Sequence, residues 1–169
     1  MLCQRTMHTV RPIVRGLLVV LQLALVTCLL TGCGLLRPAN DDVPAKAHNV
    51  VRSAYNQIGS KYRLGGASPQ KGFDCSGLIY WAYANNGLKV PRITTDQAKA
   101  GKSVSKSSAH AGDIVVFRTG SSPRGLHTGI FAGDNSFIHS PGKGKRVRLD
   151  KMDNSYWKDK LVAVRRVIR

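Results

Sequence analysis

The sequence predicts an α+β domain in which helices come first and a sheet follows. Apolar residues recur every three or four positions between residues 47 and 83, and from residue 113 they fall instead in short β-branched or alternating runs separated by Gly, Pro and Asn. A helical block followed by a strand block fits segregated layers and argues against the βαβ alternation of a doubly wound sheet. Once an N-terminal export segment is set aside, enough chain remains for one domain, and no internal repeat subdivides it.

Residues 1–32 read as that export segment. Arg5, Arg11 and Arg15 precede the run "GLLVVLQLALVTCLL" at 16–30, which is interrupted only by Gln22 and Thr27. A spanning helix needs about 20 apolar residues, so the run is expected to be the apolar region of a secretory signal. Its end, "LLTGC" at 29–33, resembles the bacterial lipobox, which implies cleavage before Cys33 and acylation of that cysteine. The alternative is a plain signal with a coincidental cysteine. Gly34, rather than Asp, follows Cys33, which in an enterobacterium-like cell implies sorting to the outer membrane, facing the periplasm. Residues 33–45 are rich in Pro, Asn and Asp without periodicity and read as a flexible tether. Residues 46–169 are left as the domain.

Within it, "PAKAHNVVRSAYNQIG" places Ala47, Val50, Val51, Ala54 and Ile58 at helical spacing and closes on Gly59. A Gly-, Ser- and Pro-rich loop follows. A second helix begins at Cys75, runs through Leu78, Ile79, Ala82 and Tyr83, and stops at "NNG". A third, short helix is expected in "TTDQAKAG", capped by Thr94 or Thr95. "DIVVF", "HTGIFAG", "NSFIHS", "KRVRLD" and "LVAVRRVI" then read as strands of a five- to six-stranded antiparallel sheet.

Four cysteines are present, of which Cys3 and Cys28 leave with the signal and Cys33 is consumed by lipid. Cys75 is then alone in an oxidising compartment, as a buried packing residue, an intermolecular bridge or a reactive thiol. Losing Arg5, Arg11 and Arg15 takes the net charge from +17 to +14, and all nine acidic residues are Asp. Such a surface attracts polyanions. Export disfavours nucleic acid as the partner and leaves cell-wall carboxylates, anionic head groups or a plain solvated face.

A helix start favours a thiolate, and a histidine is the usual base for one. His48 and His110 read as surface residues. His127 and His139 lie in consecutive strands joined by "GDN" at 133–135. An odd-length loop centred on Asp134 sets residue 139 opposite 129, which puts the two imidazoles diagonally on one face, about 7 to 8 Å apart at Cα. His127 would then take the thiol proton and His139 would accept the other ring N–H of His127. A zinc site built from Cys75, His127 and His139 is the competing reading, although close-spaced ligand pairs are missing.

The chain resembles the NlpC-type cell-wall cysteine peptidases along residues 47–168. The motifs, in order, are "YRLGG" at 62–66, "FDCSGLI" at 73–79, "PRITTDQ" at 91–97, "GDIVVF" at 112–117, "HTGIF" at 127–131 and "FIHS" at 137–140. The resemblance implies a reduced papain-like core with Cys75 as nucleophile, His127 as base and His139 as third member. It further implies that Tyr62 binds substrate or steadies the oxyanion, that Asp74 and Ser76 line the site, and that Arg92 and Gln97 are structural. No cofactor is expected. The expected partners are a peptidoglycan peptide and a membrane holding the Cys33 lipid, with the chain a monomer. Hydrolysis of a stem-peptide or cross-link amide through a thioester follows, against a non-catalytic murein-binding lipoprotein or an acyltransferase or amidase on the same core. Two departures bear on substrate preference: Thr128 replaces the more usual Val or Ala, and the loop at 118–127 is long and basic.

Overall fold

The computed structural model describes residues 45–120 and 125–168, so the expected signal, Cys33 and nearly all of the tether lie outside the described residues. Helix α1 (Ala45–Tyr55) buries Ala47, Val50 and Ala54, as its spacing requires. It ends before Ile58, which is exposed after the chain turns away towards Gly59 at φ 92°. A two-stranded ribbon, β1 (Ala67–Ser68) and β2 (Gly72–Phe73), leads into α2 (Cys75–Ala84). The third helix, α3, is the single turn Thr94–Gln97. Its cap position is Ile93 rather than Thr94 or Thr95, because the Asp96 and Gln97 N–H groups already bond the Ile93 carbonyl.

The remaining strands are β3 (Lys102–Val104), β4 (Ile114–Arg118), β5 (Leu126–Gly133), β6 (Ser136–His139), β7 (Arg148–Lys151) and β8 (Leu161–Arg166). They form one six-stranded antiparallel sheet in the order β3-β8-β4-β5-β6-β7. Side chains alternate across it. Ile114, Val116, Ile130 and Ile138 meet Val50, Ala54, Leu78, Ile79 and Ala82 of the helices. Val115, Phe117 and Phe137 face the other way, under Met152 and Trp157 from the turn between β7 and β8. Each such burial contributes about 1.5 to 3 kcal/mol, so two cores grip the same sheet.

The β5–β6 hairpin sets the register of both histidines. Asp134 and Asn135 take positive φ, 46° and 56°, and make a two-residue turn rather than the expected odd-length one. A bulge between Phe131 and Gly133 supplies the extra residue, so the ladder runs Phe131 opposite Phe137 and Ile130 opposite Ile138. One step further puts residue 129 opposite His139, the expected register reached by a different turn.

Candidate active site

Cys75 opens α2 because Asp74 caps it. The Asp74 carboxylate accepts the Gly77 N–H at 2.6 Å while its backbone remains extended at ψ 176°. The same carboxylate accepts the Gly65 N–H at 2.8 Å and a two-nitrogen fork from Arg92 at 3.0 and 2.9 Å. Ser76, buried, donates to Asp74 at 3.1 Å and accepts from Arg92 at 2.9 Å. Asp74 and Ser76, expected to line the substrate site, therefore direct these polar atoms to building the helix start. Burial pushes the Asp74 carboxyl up, but Arg92 and the two N–H groups outweigh it and hold the acid below the usual carboxylate range. Gly77 is small for a packing reason: a Cβ there would overlap the Gly66 carbonyl oxygen.

The Cys75 thiol sits against Thr128, the residue after His127. Burial and the Asp74 charge push the thiol up, while the backbone N–H groups of Thr128 and Ser76 and the Thr128 hydroxyl pull it down; the upward push prevails. The net direction favours the thiol form, opposite to the pull towards thiolate that the helix start alone suggested. The Thr128 hydroxyl is in turn fixed by Gln97, whose Oε1 accepts it at 3.0 Å. Gln97 is fully buried and donates to the Ser76 and Pro91 carbonyls at 2.9 and 2.8 Å, joining the cysteine helix to β5. Tyr62 lies close enough for its phenol to be pushed up, first by burial and then by the charges of Cys75 and Asp74.

Across the sheet the imidazoles form a directed chain. His127 Nε2 lies 2.8 Å from His139 Nδ1, and His139 Nε2 lies 3.0 Å from Asp150 Oδ2. His139 pairs with Arg148 and Phe137 with Asp150, so each link runs diagonally to the next strand on one face. Asp150 Oδ2 also accepts from Arg148 at 2.8 Å and from the Trp157 indole at 3.0 Å. Burial raises the Asp150 carboxyl, but these donors and His139 hold it below its ordinary range. Burial drives both imidazoles below the usual histidine range, His127 with the help of His139.

Those directions assign the tautomers. An ionised Asp150 can only accept, so His139 carries its proton on Nε2 and offers Nδ1 as acceptor. Neutral His127 must then donate through Nε2, which leaves its lone pair on Nδ1. Trp157 stacks on the His127 ring at 5.4 Å and 26°, fixing its plane. Two rings bonded to each other do not aim their lone pairs at one point, so His127, His139 and Cys75 are not arranged as a ligand set, and no group of three metal-binding side chains converges among the described residues. The arrangement can accept one proton at His127 Nδ1, on the residue next in sequence to Thr128, which touches the Cys75 thiol. Sequence reasoning missed Asp150 and Trp157; an Asp within the basic run "KRVRLD" was the available signal for the first.

A thiol at a helix start combined with histidines on the strands of an antiparallel sheet is the plan of the papain-like cysteine peptidases. The NlpC/P60 family model matches residues 59–166, and the chain belongs to that family. It is 43% identical over 111 residues to the murein DD-endopeptidase MepS/murein LD-carboxypeptidase of Escherichia coli strain K12, covering 65% of this chain and 57% of that protein. To the murein DD-endopeptidase MepH of the same strain it is 35% identical over 131 residues, 73% of this chain and 48% of that one. The chain thus spans about half the length of these curated relatives. Among solved structures, an NLP/P60 family protein similar to lipoprotein from Staphylococcus aureus aligns with a TM-score of 0.65 at 35% identity, over 73% of this chain and 42% of that chain.

Proposed function

We propose that the protein is a peptidoglycan endopeptidase that cuts an amide bond in cell-wall peptides through a thioester on Cys75. The observation that carries this is the directed chain from Asp150 through His139 to His127, which leaves a basic nitrogen on the residue beside the thiol's neighbour Thr128. The names of the two E. coli relatives support the same substrate class.

His127 Nδ1 takes the thiol proton as sulfur attacks the scissile carbonyl carbon, and the imidazolium formed is stabilised through His139 by Asp150. The Cys75 N–H, which has no acceptor among the described residues, and the Tyr62 hydroxyl are the donors for the oxyanion. The C–N bond then breaks with the His127 proton passing to the leaving amine. Water, deprotonated by His127, resolves the thioester to a carboxylic acid and the free thiol. Muropeptide mass spectrometry tests the reading: the wild-type chain releases shortened peptides and folded Cys75→Ala releases none. Full hydrolysis by that variant overturns it.

Anchoring through acylated Cys33, with outer-membrane sorting from Gly34, is part of the same proposal and rests on "LLTGC" and the residue after it. Palmitate should label the wild type and not Cys33→Ala; label on the variant refutes lipidation at Cys33, and recovery of labelled protein in the inner membrane refutes the sorting.

A further inference from the structure

A cleft of about 500 Å³ opens beside His127, and its walls include Lys145, Arg148, Asn154 and Tyr156. Its one acid, Asp150, is already engaged by three donors, His139, Trp157 and the ion-paired Arg148. Lys145 has no ion pair or side-chain hydrogen bond among the described residues, and its backbone carbonyl accepts the Tyr62 N–H at 3.0 Å, tying the β6–β7 connection to the segment that carries Tyr62. Arg148, half exposed, keeps donors free beyond the one held by Asp150. The field of both cations reaches His139, so they stand at the relay and not at a remote surface.

Position along the substrate follows from the chemistry. His127 must hand its proton to the leaving nitrogen, so that nitrogen sits at His127, and a cleft walled by His127 holds what that nitrogen carries. We infer that this cleft binds a free carboxylate on the amine side of the scissile bond, through Lys145 and Arg148. The substrate class is accordingly a peptide whose leaving amine sits on a carbon that also carries a free carboxyl. This is true of a D-alanyl cross-link to the side-chain amine of diaminopimelate. It is not true of a bond within a continuing α-linked chain, where the next peptide bond occupies that carboxyl. The inference rests on the peptidase reading for its placement, and it selects among the bonds such an enzyme could cut.

The test uses two synthetic cross-linked peptides that differ only in the carboxyl on the carbon bearing the acylated side-chain amine, a free acid in one and a primary amide in the other. Calorimetric binding to full-chain Cys75→Ala should favour the acid about tenfold, the size expected of a charge-assisted contact, with the preference shrinking as salt rises. Adding Lys145→Gln should remove most of the preference and leave amide binding within about twofold, and Lys145→Arg should restore it. In turnover, Lys145→Gln should raise KM for the acid with kcat nearly unchanged. Equal binding of acid and amide, or a preference that survives Lys145→Gln, overturns the inference. Failure of the wild type to hydrolyse either peptide refutes the peptidase reading instead, and the binding comparison still decides whether the cleft takes a carboxylate.

Discussion

At the scale of single residues, Asp150 is the member of the relay with the least obvious sequence signature and the most definite physical duty. One oxygen, Oδ2, receives His139, Arg148 and Trp157 together, so the carboxylate orients and charges at once. The two duties separate by substitution. Asp150→Asn can keep an accepting oxygen in place and should lose about tenfold in kcat, whereas Asp150→Leu frees the His139 tautomer and should lose about a hundredfold or more. His127→Ala should be near inactive, and His139→Asn or Gln should retain measurable turnover. Steady-state kinetics check the order; equal losses for the two Asp150 variants would mean that charge alone matters. The thiol offers a second test. Its upward shift, caused first by burial, means that iodoacetamide alkylation of the folded protein should stay slow near neutrality and rise only above the pH at which the urea-unfolded chain reacts. Faster reaction in the folded state at neutral pH would show a preformed thiolate.

At the scale of elements, the sequence made legible what local pattern controls. The first two helices and the five longer strands followed from spacing and turn residues; the face shared by His127 and His139 came out as expected, but through a two-residue turn and a bulge in place of the odd-length loop. What stayed hidden depends on distant partners. Strand β3, "KSV", is three residues with little apolar character and exists because β8 supplies a ladder. The ribbon β1–β2 is two residues per strand within a glycine-rich loop. Gln97 was placed as structural without a partner, and only the fold brings it to Thr128. Asp150 could not be tied to His139 before β7 had a register on β6. Helix α2 provides a sign test between local and tertiary effects. Gly77→Ala should gain up to about 1 kcal/mol from helix propensity, yet the new Cβ meets the Gly66 carbonyl, and such overpacking costs about 1 to 3 kcal/mol. A lowered urea midpoint is expected; an unchanged or raised one would mean that the Gly66 turn yields freely.

For the whole molecule, the same buried groups couple folding to acidity. His127 and His139 have folded pKa values depressed below those of the unfolded chain, to about 3 and about 4, so the stability they confer is complete above the unfolded histidine pKa and is lost progressively as pH falls from there through the folded values. Each imidazole held neutral costs up to about 2 kcal/mol at pH 5, from its unfolded pKa of roughly 6.5. Asp74 and Asp150, also depressed, add a loss at still lower pH, below the unfolded carboxylate range. Thermal melting should therefore drop by several degrees or more between pH 7.5 and pH 5, and an Asn at both His127 and His139 should flatten that limb. A melting temperature that is level across the interval would place the acid-sensitive groups elsewhere.

The hairpin between β5 and β6 has a consequence for heredity. Its turn and bulge count residues: twelve positions separate His127 from His139, and the parity of that number decides which side of the sheet the second ring occupies. Substitutions in the turn can be absorbed, but gain or loss of one codon there would swing His139 into the core beneath α1 and α2 and bring a neighbour with no ring nitrogen into its place. Two codons would restore parity but move the ring a further step along the ladder, beyond reach of Asp150 or of His127. The length of this segment is thus under a stricter constraint than its composition, and frameshift-free insertions between residues 128 and 138 should be purged from working copies of the gene even where they leave the fold intact.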